Sequence, residues 1–145
     1  MKHELRAYLA SFEFDYALTA ALNRDIGFDC ARRKLRDWHA HLDRELLGPK
    51  WAGAQADKRS FFWAFPEHIK SNLHYHLLVK LSDDGLKRIF EDVASEIWSD
   101  IVPGGDLRIE AIWDATGADL YATKAMHWPD ALENYIVSTE FIRSH

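Results

Sequence analysis

Hydrophobic positions along the chain switch between two periods, and the switches outline alternating helices and strands. From 30 to 47, Leu35, Trp38, Leu42 and Leu46 recur at helical spacing, which predicts a helix that Gly48-Pro49 stops. A second such stripe, Leu86, Phe90, Val93 and Ile97, predicts a helix over about 83–99 with Ser82 as its N-cap. Between them, the aromatic-rich run 60–67 and the run 73–80 read as strands. Only Ile69-Lys70-Ser71-Asn72 separates the two, and Ser and Asn are turn formers, so they predict a β-hairpin. Residues 14–23 read as a first strand, and 106–113 alternate as a strand should after the turn Pro103-Gly104-Gly105. Thr116-Gly117-Ala118-Asp119 resembles a capping box that opens a helix running to Trp128-Pro129. The tail, 131–143, fits helix or strand. The order β-α-β-β-α-β-α predicts an α+β fold, a central antiparallel sheet flanked by helices, in a single domain over 1–145.

Composition narrows the class. A chain of 145 residues with 48% hydrophobic and 28% charged residues suits one soluble domain with one core. No stretch approaches the roughly 20 apolar residues of a membrane span, and the N-terminus lacks the apolar run of a signal peptide. The expectation is therefore a cytoplasmic protein without membrane contact. A single cysteine, Cys30, excludes an internal disulfide framework and a multi-thiolate zinc site. No Gly-rich phosphate loop argues for a nucleotide cofactor. The net charge of −5 is uneven. Residues 1–60 hold 11 Lys and Arg against 9 Asp and Glu, whereas 61–145 hold 7 against 14. That balance counts against a large duplex-binding surface but leaves room for a local basic patch.

The hairpin carries the most specific chemistry. His74 and His76 are two apart on one strand, so alternation puts both on one face and Tyr75 on the other. A hairpin centred between Lys70 and Ser71 sets Glu67 directly opposite His74, and opposed residues share a face. One carboxylate and two imidazoles then converge, a donor set suited to a divalent ion of the Mn, Zn, Co or Fe type with positions left open for water or substrate. The bland alternative is a strand that happens to carry these residues. Further along, Tyr121 and Lys124 are three apart on the expected last helix and share a face. A tyrosine can act as a covalent nucleophile, and a neighbouring lysine can balance phosphate charge.

Taken together, Phe65-Pro66-Glu67, His74-Tyr75-His76-Leu77-Leu78-Val79 and Tyr121-Ala122-Thr123-Lys124 resemble the HUH endonucleases. These are single-tyrosine nucleases such as rolling-circle replication initiators, relaxases and small tyrosine transposases. The resemblance spans roughly 14 to 128, and the first strand, Leu18-Thr19-Ala20-Ala21, departs from the family's β-branched, Thr-rich motif. It implies an HUH nuclease domain of ferredoxin-like type in which Glu67, His74 and His76 hold Mn²⁺ or Mg²⁺. It further implies that Tyr121 attacks a phosphate of single-stranded DNA, leaving a 5′-phosphotyrosine, with Lys124 placing or neutralising that phosphate. For the DNA itself, Arg32, Arg33 and Arg36 on the first helix, and Lys58 and Arg59 beside Trp51 in the following loop, are candidate contacts. The competing reading of those cations is a solvated helix face with Trp51 in the core. The competing function is an HUH-like fold that no longer cuts and binds nucleic acid or a protein instead.

Overall fold

The computed structural model describes residues 13–68, 72–112 and 134–142. Five strands form one antiparallel sheet: β1 (Tyr16–Ala21), β2 (Phe61–Glu67), β3 (His74–Lys80), β4 (Asp106–Ala111) and the short β5 (Ile136–Val137). Their spatial order is β4-β1-β3-β2-β5. Among the described residues two α-helices pack on the sheet in an α+β architecture, α1 (Phe28–Leu47) and α2 (Lys87–Ile101). The helix expected over 116–128 lies outside the described residues. The tail, which fits either element by pattern, forms β5 and a 3-10 turn at Ser138–Phe141. Among the described residues, no helix is long and apolar enough to cross a membrane.

Alternation sorts the sheet into two unlike faces. Tyr16, Leu18 and Ala20 of β1, Phe62 and Ala64 of β2, and Tyr75, Leu77 and Val79 of β3 are buried in one core with both helices. α1 contributes Ala31, Leu35, Trp38, Leu42 and Leu46, the expected stripe. α2 contributes Phe90, Ala94 and Trp98, with Val93 and Ile97 at the margin. The helices are locked to each other and to the sheet by indole hydrogen bonds. Trp38 Nε1 donates to the Ala94 carbonyl, and Trp98 Nε1 to the Ala21 carbonyl, both at 3.0 Å. Gly105 lets β4 begin this close to β1, because a Cβ there would stand 2.8 Å from the Ala21 carbonyl oxygen. The same face buries the Tyr75 hydroxyl with no hydrogen-bond partner among the described residues.

The start of α2 differs from expectation. Ser82 does not cap it, because its hydroxyl donates to the Lys58 carbonyl at 3.0 Å. Asp83 takes that place, accepting from the Gly85 amide at 2.8 Å and opening a 3-10 turn that leads into the helix.

A buried polar cluster fastens α1 to the start of β2. Asp43 accepts from Arg59 Nε at 2.7 Å, from the Ser60 amide at 3.0 Å and from the Ser60 hydroxyl at 2.7 Å. His39, one turn earlier on α1, donates from Nε2 to the Ser60 carbonyl at 2.9 Å. Burial pushes the pKa of His39 down, against the opposing pull of Asp43 and the Ser60 carbonyl. Removing the carboxylate leaves the Arg59 cation buried without its counter-charge. Asp43→Ala is therefore expected to cost about 3–5 kcal/mol, read from urea unfolding. Because folded His39 stays neutral, the unfolded chain takes up a proton below about pH 6.5 that the folded chain refuses, so stability falls as pH drops through that value. The slope from this one group is at most about 1.4 kcal/mol per pH unit. Urea midpoints at pH 7.5 and 5.5 should differ less in His39→Gln than in the wild type, and equal differences would exclude His39 as the source.

Candidate metal centre

β2 and β3 pair with Glu67 opposite His74 and Phe65 opposite His76. The register is set by burial: a one-residue slip would turn Tyr75, Leu77 and Val79 out of the core and the histidines into it. The face opposite the helices therefore carries Glu67, His74 and His76 together. Next to them on this face β1 offers only Ala21, opposite His74, and Thr19, opposite His76. Both side chains are short and partly exposed.

The three donors meet at one oxygen. His74 Nε2 lies 2.6 Å from Glu67 Oε1 and His76 Nε2 lies 3.3 Å from the same atom. The ligand atoms all fall within 4.8 Å of one another, close enough for one metal ion. Side-chain exposures of about a fifth (18%, 19% and 20% for His74, His76 and Glu67) leave the cluster reachable from solvent. Burial works against the Glu67 charge, but hydrogen bonds from His76 and His74 outweigh it and hold the carboxyl below its usual range. The site is thus an anionic oxygen ringed by imidazoles at neutral pH, ready to accept a cation.

The outer contacts favour the ligating orientation. His74 Nδ1 donates to the Asn72 carbonyl at 3.2 Å, which turns Nε2 toward the carboxylate. Replacing the Nε2 proton with a metal would keep that bond, the usual arrangement for a metal-bound imidazole. Asn72 itself holds a left-handed backbone, φ 54°, as it brings the chain into β3. His76 Nδ1 lies 3.5 Å from Thr19 Oγ1 on the neighbouring strand.

The other expected site residues divide. Tyr121 and Lys124 lie outside the described residues. Arg32, Arg33 and Arg36 stand on α1, which packs on the opposite face of the sheet from the metal ligands. Arg32 is 3.5 Å from Glu140 and stacks over Phe141, and Arg36 is 3.6 Å from Asp37. Lys58 is exposed, while Arg59 corrects its expectation: it is buried at 5% and its Nε serves Asp43 rather than a phosphate. Both precede β2 at its far end, roughly 25 Å of extended chain from Glu67. Arg36, Trp51, Arg59 and Phe141 instead line a separate cavity of about 370 Å³ beside α1. Trp51 is half-buried there with the Arg59 guanidinium 5.2 Å from its ring centre, between the two environments expected for it. Tyr135 stacks on Trp63 with ring centres 5.1 Å apart.

Sequence reasoning missed one neighbour, His68, whose Nε2 is 3.8 Å from Glu67 Oε1.

Comparisons with protein-family models, with curated proteins and with solved structures found no match to this chain.

If the cluster binds metal as its donors suggest, Mn²⁺ or Zn²⁺ should bind the purified chain. His76→Ala should weaken that binding by roughly a hundredfold or more without changing the far-ultraviolet circular dichroism. Calorimetric titration of both proteins checks this, and undiminished binding by His76→Ala would place the ion elsewhere. Wild-type affinity should also fall between pH 7.5 and 5.5, because the imidazoles must be neutral to ligate.

Proposed function

We propose that the chain is a metal-dependent single-stranded DNA nicking enzyme of the HUH type. The observation that carries the reading is the convergence of Glu67, His74 and His76 on one face of a hairpin. Two further features support it. The described residues form an α+β fold, a five-stranded antiparallel sheet whose core face packs against both helices. β4 and β5 form the two edges of the sheet, and Tyr121 falls between them in sequence.

A divalent ion at the cluster would supply Lewis-acid polarisation of the scissile phosphate. Glu67 and the two histidines hold that position and fix its geometry, with Asn72 orienting His74. The Tyr121 hydroxyl attacks phosphorus as the bond to the 3′ oxygen breaks, and in the net balance the phenolic proton ends on that departing oxygen. The products are a 5′-phosphotyrosine and a free 3′-hydroxyl. Lys124 neutralises the phosphate charge. Two imidazoles and a carboxylate favour Mn²⁺ over Mg²⁺, which prefers oxygen donors and keeps several waters.

A second reading, an HUH-like fold that binds without cutting, is favoured by the net charge of −5 and by the diversion of Arg59 into the interior. One experiment separates them. Incubation with assorted single-stranded oligonucleotides and Mn²⁺, followed by a denaturing gel, should give a covalent adduct that disappears with EDTA and in Tyr121→Phe. Metal binding without an adduct on any oligonucleotide would favour the binding module. An adduct that survives Tyr121→Phe would assign the nucleophile elsewhere.

A further inference from the structure

Glu67 is met by three imidazoles rather than two. His68 Nε2 lies 3.8 Å from Glu67 Oε1, the same oxygen that faces His74 and His76, and its ring centre is 5.5 Å from that of His74. Strand alternation alone would send this side chain to the opposite face from Glu67. It does not, because β2 ends at Glu67 and His68 takes a left-handed backbone, φ 57°. A non-glycine residue in that region is strained by on the order of 1 kcal/mol, and such strain gathers at ligand clamps. Packing does not explain the choice: the His68 side chain is 60% exposed. What the conformation achieves is to bring a third ring nitrogen to the carboxylate.

We propose that His68 is the fourth protein ligand of the metal centre, an inference that rests on the reading of Glu67, His74 and His76 as metal ligands. The donor set then becomes three imidazole nitrogens and one carboxylate oxygen. Nε2-to-Oε1 distances of 2.6, 3.3 and 3.8 Å surround the separation of about 3.3 Å expected between donors about 2.0–2.1 Å from a shared ion. His68 stands outside the group whose ligand atoms lie within 4.8 Å of one another, so its ring must swing inward to join them, and as the most exposed of the four at 60% it has the freedom to do so. The extra imidazole moves selectivity further from Mg²⁺ toward Mn²⁺, Co²⁺ and Zn²⁺. A six-coordinate ion would still have two positions open, enough for a water and a phosphate oxygen.

The test uses Zn²⁺, which is diamagnetic, and the full chain labelled with ¹⁵N. Long-range proton–nitrogen correlation spectra resolve the ring nitrogens, and single substitutions assign them. Zn²⁺ should move the Nε2 signals of His68, His74 and His76 together. His68→Asn, in which asparagine tolerates the left-handed backbone, should bind Zn²⁺ roughly tenfold more weakly and show two moving rings. Movement of His74 and His76 alone, with unchanged affinity in His68→Asn, overturns the proposal and leaves the three-residue site standing. No movement of any of the three overturns both.

Discussion

The two-residue alternation of β3 is the constraint on which the rest of the molecule depends. Tyr75, Leu77 and Val79 drive one face of this strand into the core, and the intervening His74 and His76 are thereby carried to the other. Each buried side chain of this size contributes on the order of 2 kcal/mol, so moving the register by one residue would forfeit several at once. The candidate site therefore needs no specific interaction of its own to be assembled. It is assembled by what lies beneath it. The buried Tyr75 hydroxyl shows how strong that drive is, since the ring goes inward although its oxygen finds no partner among the described residues.

The two faces are not simply core and surface, since Phe65, Trp63 and Leu78 are buried on the same face as the histidines. The core face is closed by two helices and tied down by indole donors and the Asp43 cluster. The opposite face brings small residues of β1, Thr19 and Ala21, beside the histidines. Charged residues follow the same partition. Arg59 is invested in the interior on one side, whereas Glu67 keeps its charge on the other through the imidazoles around it.

How much of this was legible in the sequence follows from the range of the forces involved. The facing of Glu67 and His74 depends only on parity and on the centre of a short turn, both readable locally. The stripes of α1 and α2 were equally plain, because burial there follows one period. Arg59 was misread because its fate depends on Asp43, 16 residues away, whose position is set by the phase of a helix against a strand. His68 was missed for the opposite reason: the alternation rule that placed its neighbours pointed it away from them. Only the left-handed backbone reverses this, and histidine's enrichment there among non-glycine residues is too weak a signal to announce it. The boundary of α2 shifted because two adjacent residues, Ser82 and Asp83, could each cap, and a distant loop carbonyl took the serine.

The candidate ligands Glu67, His74 and His76, and the proposed fourth, His68, lie within ten consecutive positions. Closing so short a loop carries little entropic penalty, so the hairpin can gather around an ion before the helices or β1 and β4 are in place. An ion that binds here has affinity for the denatured chain as well as for the native one. Its effect on the unfolding equilibrium is then smaller than its affinity for the folded protein alone would give, because part of the binding energy is available to both states. In this molecule the tightness of the site and the thermostability it confers are separate quantities.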